Sequence, residues 1–66
     1  MNKKLNAINA EFAPHRIDIR PYRSQKWFAD ARFLARLKAR DGGYEAIGYF
    51  ETLDKAASAA RETALG

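Results

Sequence analysis

The spacing of apolar residues changes along the chain, and its first part follows a helical period. Leu5, Ile8 and Phe12 recur three or four residues apart, as on one side of an amphipathic helix. Pro14 ends this pattern, because a proline ring interrupts helical hydrogen bonding. Residues 1–14 are therefore predicted to form a short helix or an N-terminal arm that adds to the core.

A period of two follows, and it predicts two β-strands. Between His15 and Tyr22, Ile17 and Ile19 alternate with polar residues. In residues 26–40 every odd position is apolar, and six of the eight even positions are charged. A helix is the competing interpretation of residues 26–40, since alanine, leucine, arginine and lysine favour helices. The alternation accounts for more positions, so the second strand is predicted over this whole segment, with Trp27 on its buried side.

A turn, a third strand and a helix complete the pattern. Asp41-Gly42 between two alternating segments is a strong hairpin signal. The third strand is predicted over 44–50, with Tyr44, Ala46 and Gly48 on one side and Glu45, Ile47 and Tyr49 on the other. Thr52 is the predicted N-cap of a helix. The buried stripe of this helix is predicted to comprise Leu53, Ala56, Ala57, Ala60 and Ala64.

These elements predict an α+β fold in which a three-stranded antiparallel sheet packs on one C-terminal helix. Residues 1–14 form the arm or short helix, and residues 15–66 form a single domain. A chain of 66 residues has a thin core and little room for an enclosed pocket, which argues against an enzyme. The chain has no cysteine, and no apolar stretch approaches the length of a membrane span. A cytoplasmic protein without membrane association is expected.

Positive charge is concentrated in the first part of the chain. The formal net charge is +4, but residues 1–40 carry ten Lys or Arg against three acids, whereas residues 41–66 carry two against five. If the odd residues of the second strand pack on the helix, its even residues face solvent. The candidate nucleic-acid-binding residues are Arg16, Arg20, Lys26, Phe28, Asp30, Arg32, Arg36, Lys38, Arg40 and Tyr44, with Leu34 among them. Such a face suits phosphate and base contacts, although charged faces also simply protect small sheets from aggregation.

Two segments resemble a known DNA-binding domain. Residues 26–32 read KWFADAR, which is similar to the K-W-x-A-E-I-R strand of the plant Apetala-two/ethylene-response-factor domain. Residues 47–52 read IGYFET and precede Ala56, Ala57 and Ala59, which resembles that family's L-G-T-F-x-T-x-x-x-A-A-x-A signature. The second segment is also similar to the arm-binding domains of phage-type tyrosine recombinases.

The resemblance implies a three-stranded sheet that enters the DNA major groove with a helix packed behind it. The DNA-contacting positions that it implies are Lys26, Asp30 and Arg32, with Arg20 as the equivalent in the first strand and Tyr44 and Ala46 as the outer positions of the third. The plant pattern has tryptophan or basic residues at Ser24 and at Tyr44 or Ala46, and a Tyr-Asp pair where Ala60 and Arg61 stand. The resemblance therefore favours a shared fold over a shared target sequence.

The sequence predicts a small double-stranded DNA-binding protein, a prokaryotic or phage regulator that is a monomer or weak homodimer. No catalytic residue, cofactor or metal ligand is expected, because His15 has no second ligand near it and the serines have no histidine and acid partners. The alternative is a phage-type interaction module or inhibitor that binds an acidic protein partner. Double-stranded RNA is a third option, although a basic start to the last helix is missing.

Overall fold

A computed structural model describes residues 3–66. The elements are α1 (Lys3–Phe12), a 3₁₀ turn (Ala13–His15), β1 (Ile17–Pro21), β2 (Phe33–Lys38), β3 (Tyr44–Phe50) and α2 (Leu53–Leu65). The strands form one antiparallel sheet in the order β1-β2-β3. The predicted α+β fold, including its N-terminal helix, is confirmed. No helix within residues 3–66 is long and apolar enough to cross a membrane.

Both helices pack on the same side of the sheet. Phe12 from α1 and Ile19 from β1 are the largest fully buried side chains, and each is 1% exposed. Ala56 and Ala60 of α2 are completely buried beside Ala35 of β2. Short side chains on both surfaces let α2 lie close to the sheet and exclude solvent from these three alanines.

The ends of α2 and the β2–β3 turn form as the sequence predicts. The Thr52 hydroxyl accepts a hydrogen bond from the backbone N–H of Lys55 at 3.2 Å, which caps the helix. In the turn, the N–H of Ala39 bonds to the carbonyl of Gly43. Gly42 takes a φ of +93°, a conformation that glycine adopts without steric cost.

Asn9 on α1 closes part of the exposed edge of β1. Its side-chain amide donates to the carbonyl oxygen of Ile19 at 2.9 Å, and its side-chain oxygen accepts from the N–H of Ile19 at 2.7 Å. Asn9 therefore takes the place of a neighbouring strand at this residue and joins α1 to the sheet. Unpaired edges are sites where other chains add, and this contact removes one such site.

The prediction of a strand over residues 26–40 is wrong for its first half. β2 begins at Phe33, and residues 26–32 lie in the connection from β1. The register pairs Pro21 with Phe33. Continuing that register backward would place Lys26 opposite Phe28, which the chain cannot do. The connection must therefore turn within this segment, even though its residues alternate.

A β-bulge changes the predicted faces of β3. Ala35 pairs with Gly48 and Arg36 pairs with Ala46, so Ile47 is an extra residue. Tyr44 and Ala46 lie on the outer side, as predicted. Beyond the bulge, Tyr49 rather than Gly48 takes the outer side, because it pairs with Leu34. The predicted grouping of Gly48 with Tyr44 and of Tyr49 with Glu45 is therefore wrong.

Candidate nucleic-acid interface

The sheet has one face that neither helix covers, and we call it the open face. Directly paired residues of neighbouring strands point to the same side, so the register defines this face. Its residues are Asp18, Arg20, Leu34, Arg36, Lys38, Tyr44, Ala46 and Tyr49. Three strands that lie about 4.8 Å apart give the sheet a width of about 10 Å. This width fits a DNA major groove, which is about 12 Å wide.

Arg36 lies at the centre of the open face and is held by two neighbours. Its Nε donates to Oδ1 of Asp18 at 2.7 Å, and its Nη2 donates to Oδ2 of Asp18 at 3.1 Å. The guanidinium also lies 3.7 Å from the centre of the Tyr44 ring. The hydrogen bonds to Asp18 raise the pKa of Arg36 above its ordinary value, with a further contribution from the charge of Asp18. Arg36 is therefore a fixed, permanently charged group whose charge Asp18 largely offsets.

Arg20 and Lys38 are the cations of the open face that Asp18 leaves unpaired. Both side chains are exposed, and within residues 3–66 neither forms an ion pair. Lys38 lies opposite Tyr44 near the β2–β3 turn, whereas Arg20 lies opposite Leu34 toward the other end of the sheet. These two side chains are free to contact phosphate groups.

A concave surface at the turn end brings three of the predicted cations together. It has a volume of about 860 Å³, and its charged and aromatic lining residues are Arg16, Lys38, Arg40, Asp18, Asp41 and Tyr44. Arg16 follows the 3₁₀ turn with a φ of +62°, and its N–H bonds to the carbonyl of Ala13. The bend between α1 and β1 thus places Arg16 beside the β2–β3 turn.

Residues 22–32, which we call the aromatic loop, cover the other end of the open face. The Phe28 ring stacks on Tyr49, with 4.4 Å between ring centres and 8° between planes. Tyr22 meets Tyr49 edge-on at 4.8 Å. Phe28 has a φ of +52°, which is unusual for any residue except glycine. The Phe28 ring is therefore exposed at this end of the open face, although Phe28 belongs to a loop and not to the predicted strand.

The structure separates the predicted residues into three groups. The open face holds Arg20, Arg36, Lys38 and Tyr44, and its turn end adds Arg16 and Arg40. The aromatic loop holds Lys26, Phe28 and Asp30, with Arg32 at its last position. Lys26 and Asp30 were predicted to extend from a strand. This prediction is wrong, because the loop turns before β2 begins. Trp27, predicted to be buried, is 65% exposed.

Charge is unevenly shared between the helices and the rest of the molecule. On the helices, Lys4 pairs with Asp54 at 3.0 Å and Arg61 pairs with Glu11 at 3.4 Å. The remaining described residues carry eight Lys or Arg against five acids. Of these five acids, only Asp18 lies on the open face. The helical side is nearly balanced, while the open face and its two ends have a positive excess.

Sequence patterns missed two residues that shape the open face and the aromatic loop. Tyr49 organises the aromatic loop, yet strict alternation assigned it to the opposite side. Asp18 faces outward as alternation predicts, but its pairing with Arg36 depends on the register between β1 and β2. A glycine within a strand signals a bulge, and Gly48 was the available indication for Tyr49.

The chain matches no protein-family model, no curated protein and no solved structure. The resemblance of residues 26–32 and 47–52 to the plant domain therefore stays a prediction from the sequence.

Proposed function

We propose that this protein binds double-stranded DNA by laying the open face in the major groove, as a DNA-binding module of a regulator. The observation that carries the proposal is a narrow sheet face that neither helix covers. Within residues 3–66, the charged side chains of this face that form no ion pair are both cations. Lys38 and Arg20 are the unpaired cations toward the two ends of this face, and Arg16 and Arg40 extend it at the turn. Such spacing suits contacts with phosphates on both sides of a groove.

Arg36 has a different role in this proposal. Two of its nitrogens already bond to Asp18, so it offers its remaining N–H groups in a fixed orientation. A guanidinium can donate to the O6 and N7 atoms of guanine, which is a common base-specific contact. The exposed cations then supply affinity, while Arg36 supplies base preference.

The test compares cations on the two sides of the sheet. Fluorescence anisotropy with a duplex of about 20 base pairs is recorded over a range of salt concentrations. We expect the double variant Arg20→Gln/Lys38→Gln to bind more weakly and to reduce the slope of log K against log salt by about two. Lys55→Gln on α2 is the matched control, and its affinity and slope are expected to stay near those of the unmodified protein.

Two results would overturn the proposal. One is the absence of duplex binding even at low salt. The other is an equal loss of affinity in Lys55→Gln and in the single variant Lys38→Gln, because a general charge effect would then explain binding. The protein-binding alternative is tested in the same assay with polyglutamate as competitor. Displacement of the duplex by polyglutamate at equal charge concentration would favour an acidic protein partner.

A further inference from the structure

The aromatic loop exposes a tryptophan that the open face does not account for. Trp27 is 65% exposed, although tryptophan has the largest apolar surface of any residue. We propose that Trp27 is a stacking site for an unpaired nucleobase, so that the protein prefers DNA in which a duplex adjoins a single strand. This inference rests on the proposed DNA binding and extends it to a second contact.

The loop holds Trp27 in place. The Ser24 hydroxyl accepts hydrogen bonds from the N–H groups of Lys26 and Trp27, at 3.2 and 3.1 Å. The Tyr22 hydroxyl donates to the carbonyl oxygen of Trp27 at 2.8 Å. These bonds fix the backbone of Trp27, so binding has to order only its side chain, which favours affinity.

Charge around the loop favours nucleic acid as the occupant. The aromatic loop carries Arg23, Lys26 and Arg32 against Asp30 alone. The Lys26 ammonium lies 5.7 Å from the centre of the Trp27 ring. A base that stacks on Trp27 would therefore have a cation within reach of its own phosphate, the combination that single-strand-binding proteins use.

The neighbouring aromatic residue does not offer the same site. Phe28 already stacks on Tyr49, and the hollow beside it is lined by Asp30 and Glu51. Two carboxylates would repel a phosphate there. Trp27 is thus the aromatic side chain of the loop that combines exposure with positive charge.

An unpaired base is required because the two faces of a base within a duplex are covered by its neighbours. Bases in a single-stranded extension have both faces exposed and can stack on an aromatic side chain. The aromatic loop adjoins Arg20 at one end of the open face, since Tyr22 directly continues β1. One DNA molecule can therefore contact the open face through its duplex and Trp27 through its extension.

The experiment uses a blunt duplex and the same duplex with a single-stranded thymidine extension. Trp27 is the only tryptophan, so its emission reports directly on stacking. We expect strong quenching by the extended duplex and little by the blunt one. In anisotropy, Trp27→Leu is expected to weaken binding of the extended duplex about tenfold and to leave the blunt duplex unaffected. Trp27→Phe keeps an aromatic ring and should retain most of the affinity.

The outcomes separate the two proposals. If both DNAs bind equally, Trp27 emission is unchanged and Trp27→Leu has no effect, the stacking site is refuted while duplex binding stands. If neither DNA binds, both proposals fail. If Trp27 emission instead shifts with protein concentration in the absence of DNA, the occupant is a second copy of the chain, and the stacking site is refuted. Circular dichroism of each variant verifies that the fold is retained.

Discussion

Ile19 and Arg20 are neighbours in β1, and they show how differently the two faces of the sheet are built. Ile19 is 1% exposed and packs in the core with residues of both helices. Arg20 is exposed on the open face, where no helix reaches it. The covered face is buried among apolar side chains, so a substitution there changes the free energy of unfolding. The open face carries exposed charged side chains, so a substitution there is expected to change the free energy of unfolding little.

The largest expected difference between the faces is in stability. Ile19→Ala should lower the free energy of unfolding by about 2–5 kcal/mol, because it opens a cavity in a thin core. Arg20→Gln should change it by less than about 0.5 kcal/mol. Urea denaturation followed by circular dichroism measures both values. Similar losses in the two variants would contradict the assignment of the faces.

A second expected effect concerns the contact between α1 and the edge of β1. Asn9→Ala removes both partners of the Ile19 backbone and should cost about 1–3 kcal/mol. Asn6→Ala, an exposed position of the same helix, is the control and should cost far less. Hydrogen exchange of the Ile19 amide is expected to accelerate in Asn9→Ala only. Unchanged protection of that amide would show that Asn9 does not close the edge.

A smaller change in stability is expected when the ion pair of the open face is weakened. Asp18→Asn weakens the pair with Arg36, whose partners are 37% and 19% exposed, so the loss should be about 1 kcal/mol or less. The affinity of the Asp18→Asn variant for duplex DNA should rise, because the variant removes the one negative charge of the open face. Glu62→Gln on α2 makes the same change in net charge and should have a smaller effect on affinity. A lower affinity in Asp18→Asn would contradict this expectation, because the orientation of Arg36 by Asp18 would then outweigh the removal of a negative charge.

The ion pair between Asp18 and Arg36 also predicts how the charge of the open face responds to pH. Because the pKa of Arg36 is raised in the folded protein, its contribution to stability is fully present below the ordinary arginine pKa and is lost only at extremely alkaline pH. Arg36 therefore stays charged throughout the neutral range. Titration of Arg36 is therefore not expected to contribute to any loss of DNA binding between weakly acidic and weakly alkaline pH.

Local patterns in the sequence predicted most of the elements. The helical spacing of Leu5 and Phe12, the alternation around Ile17 and the Thr52 cap each depend on residues close in the chain, and each prediction is confirmed. The outward positions of Arg20 and Lys38 follow from the same alternation. Local periodicity therefore gave the faces of regular strands correctly.

Positions that depend on how strands meet were not available from local patterns. Residues 26–32 alternate like a strand, but the register of β1 against β2 requires a turn there. The bulge opposite Ala35 and Arg36 brings Tyr49 to the outer side, and Tyr49 then supports Phe28. Both corrections come from pairing between distant segments.

By itself, the sequence determined the order of helices and strands, the apolar side of each regular element and the excess of basic residues in its first part. Only the tertiary structure decided that Trp27 is exposed, that Asp18 offsets Arg36 and that Asn9 closes a strand edge. The physical reason is the range of the interactions. Hydrophobic period and helix capping act over a few residues, whereas register, ion pairing and edge contacts arise only when distant segments are brought together.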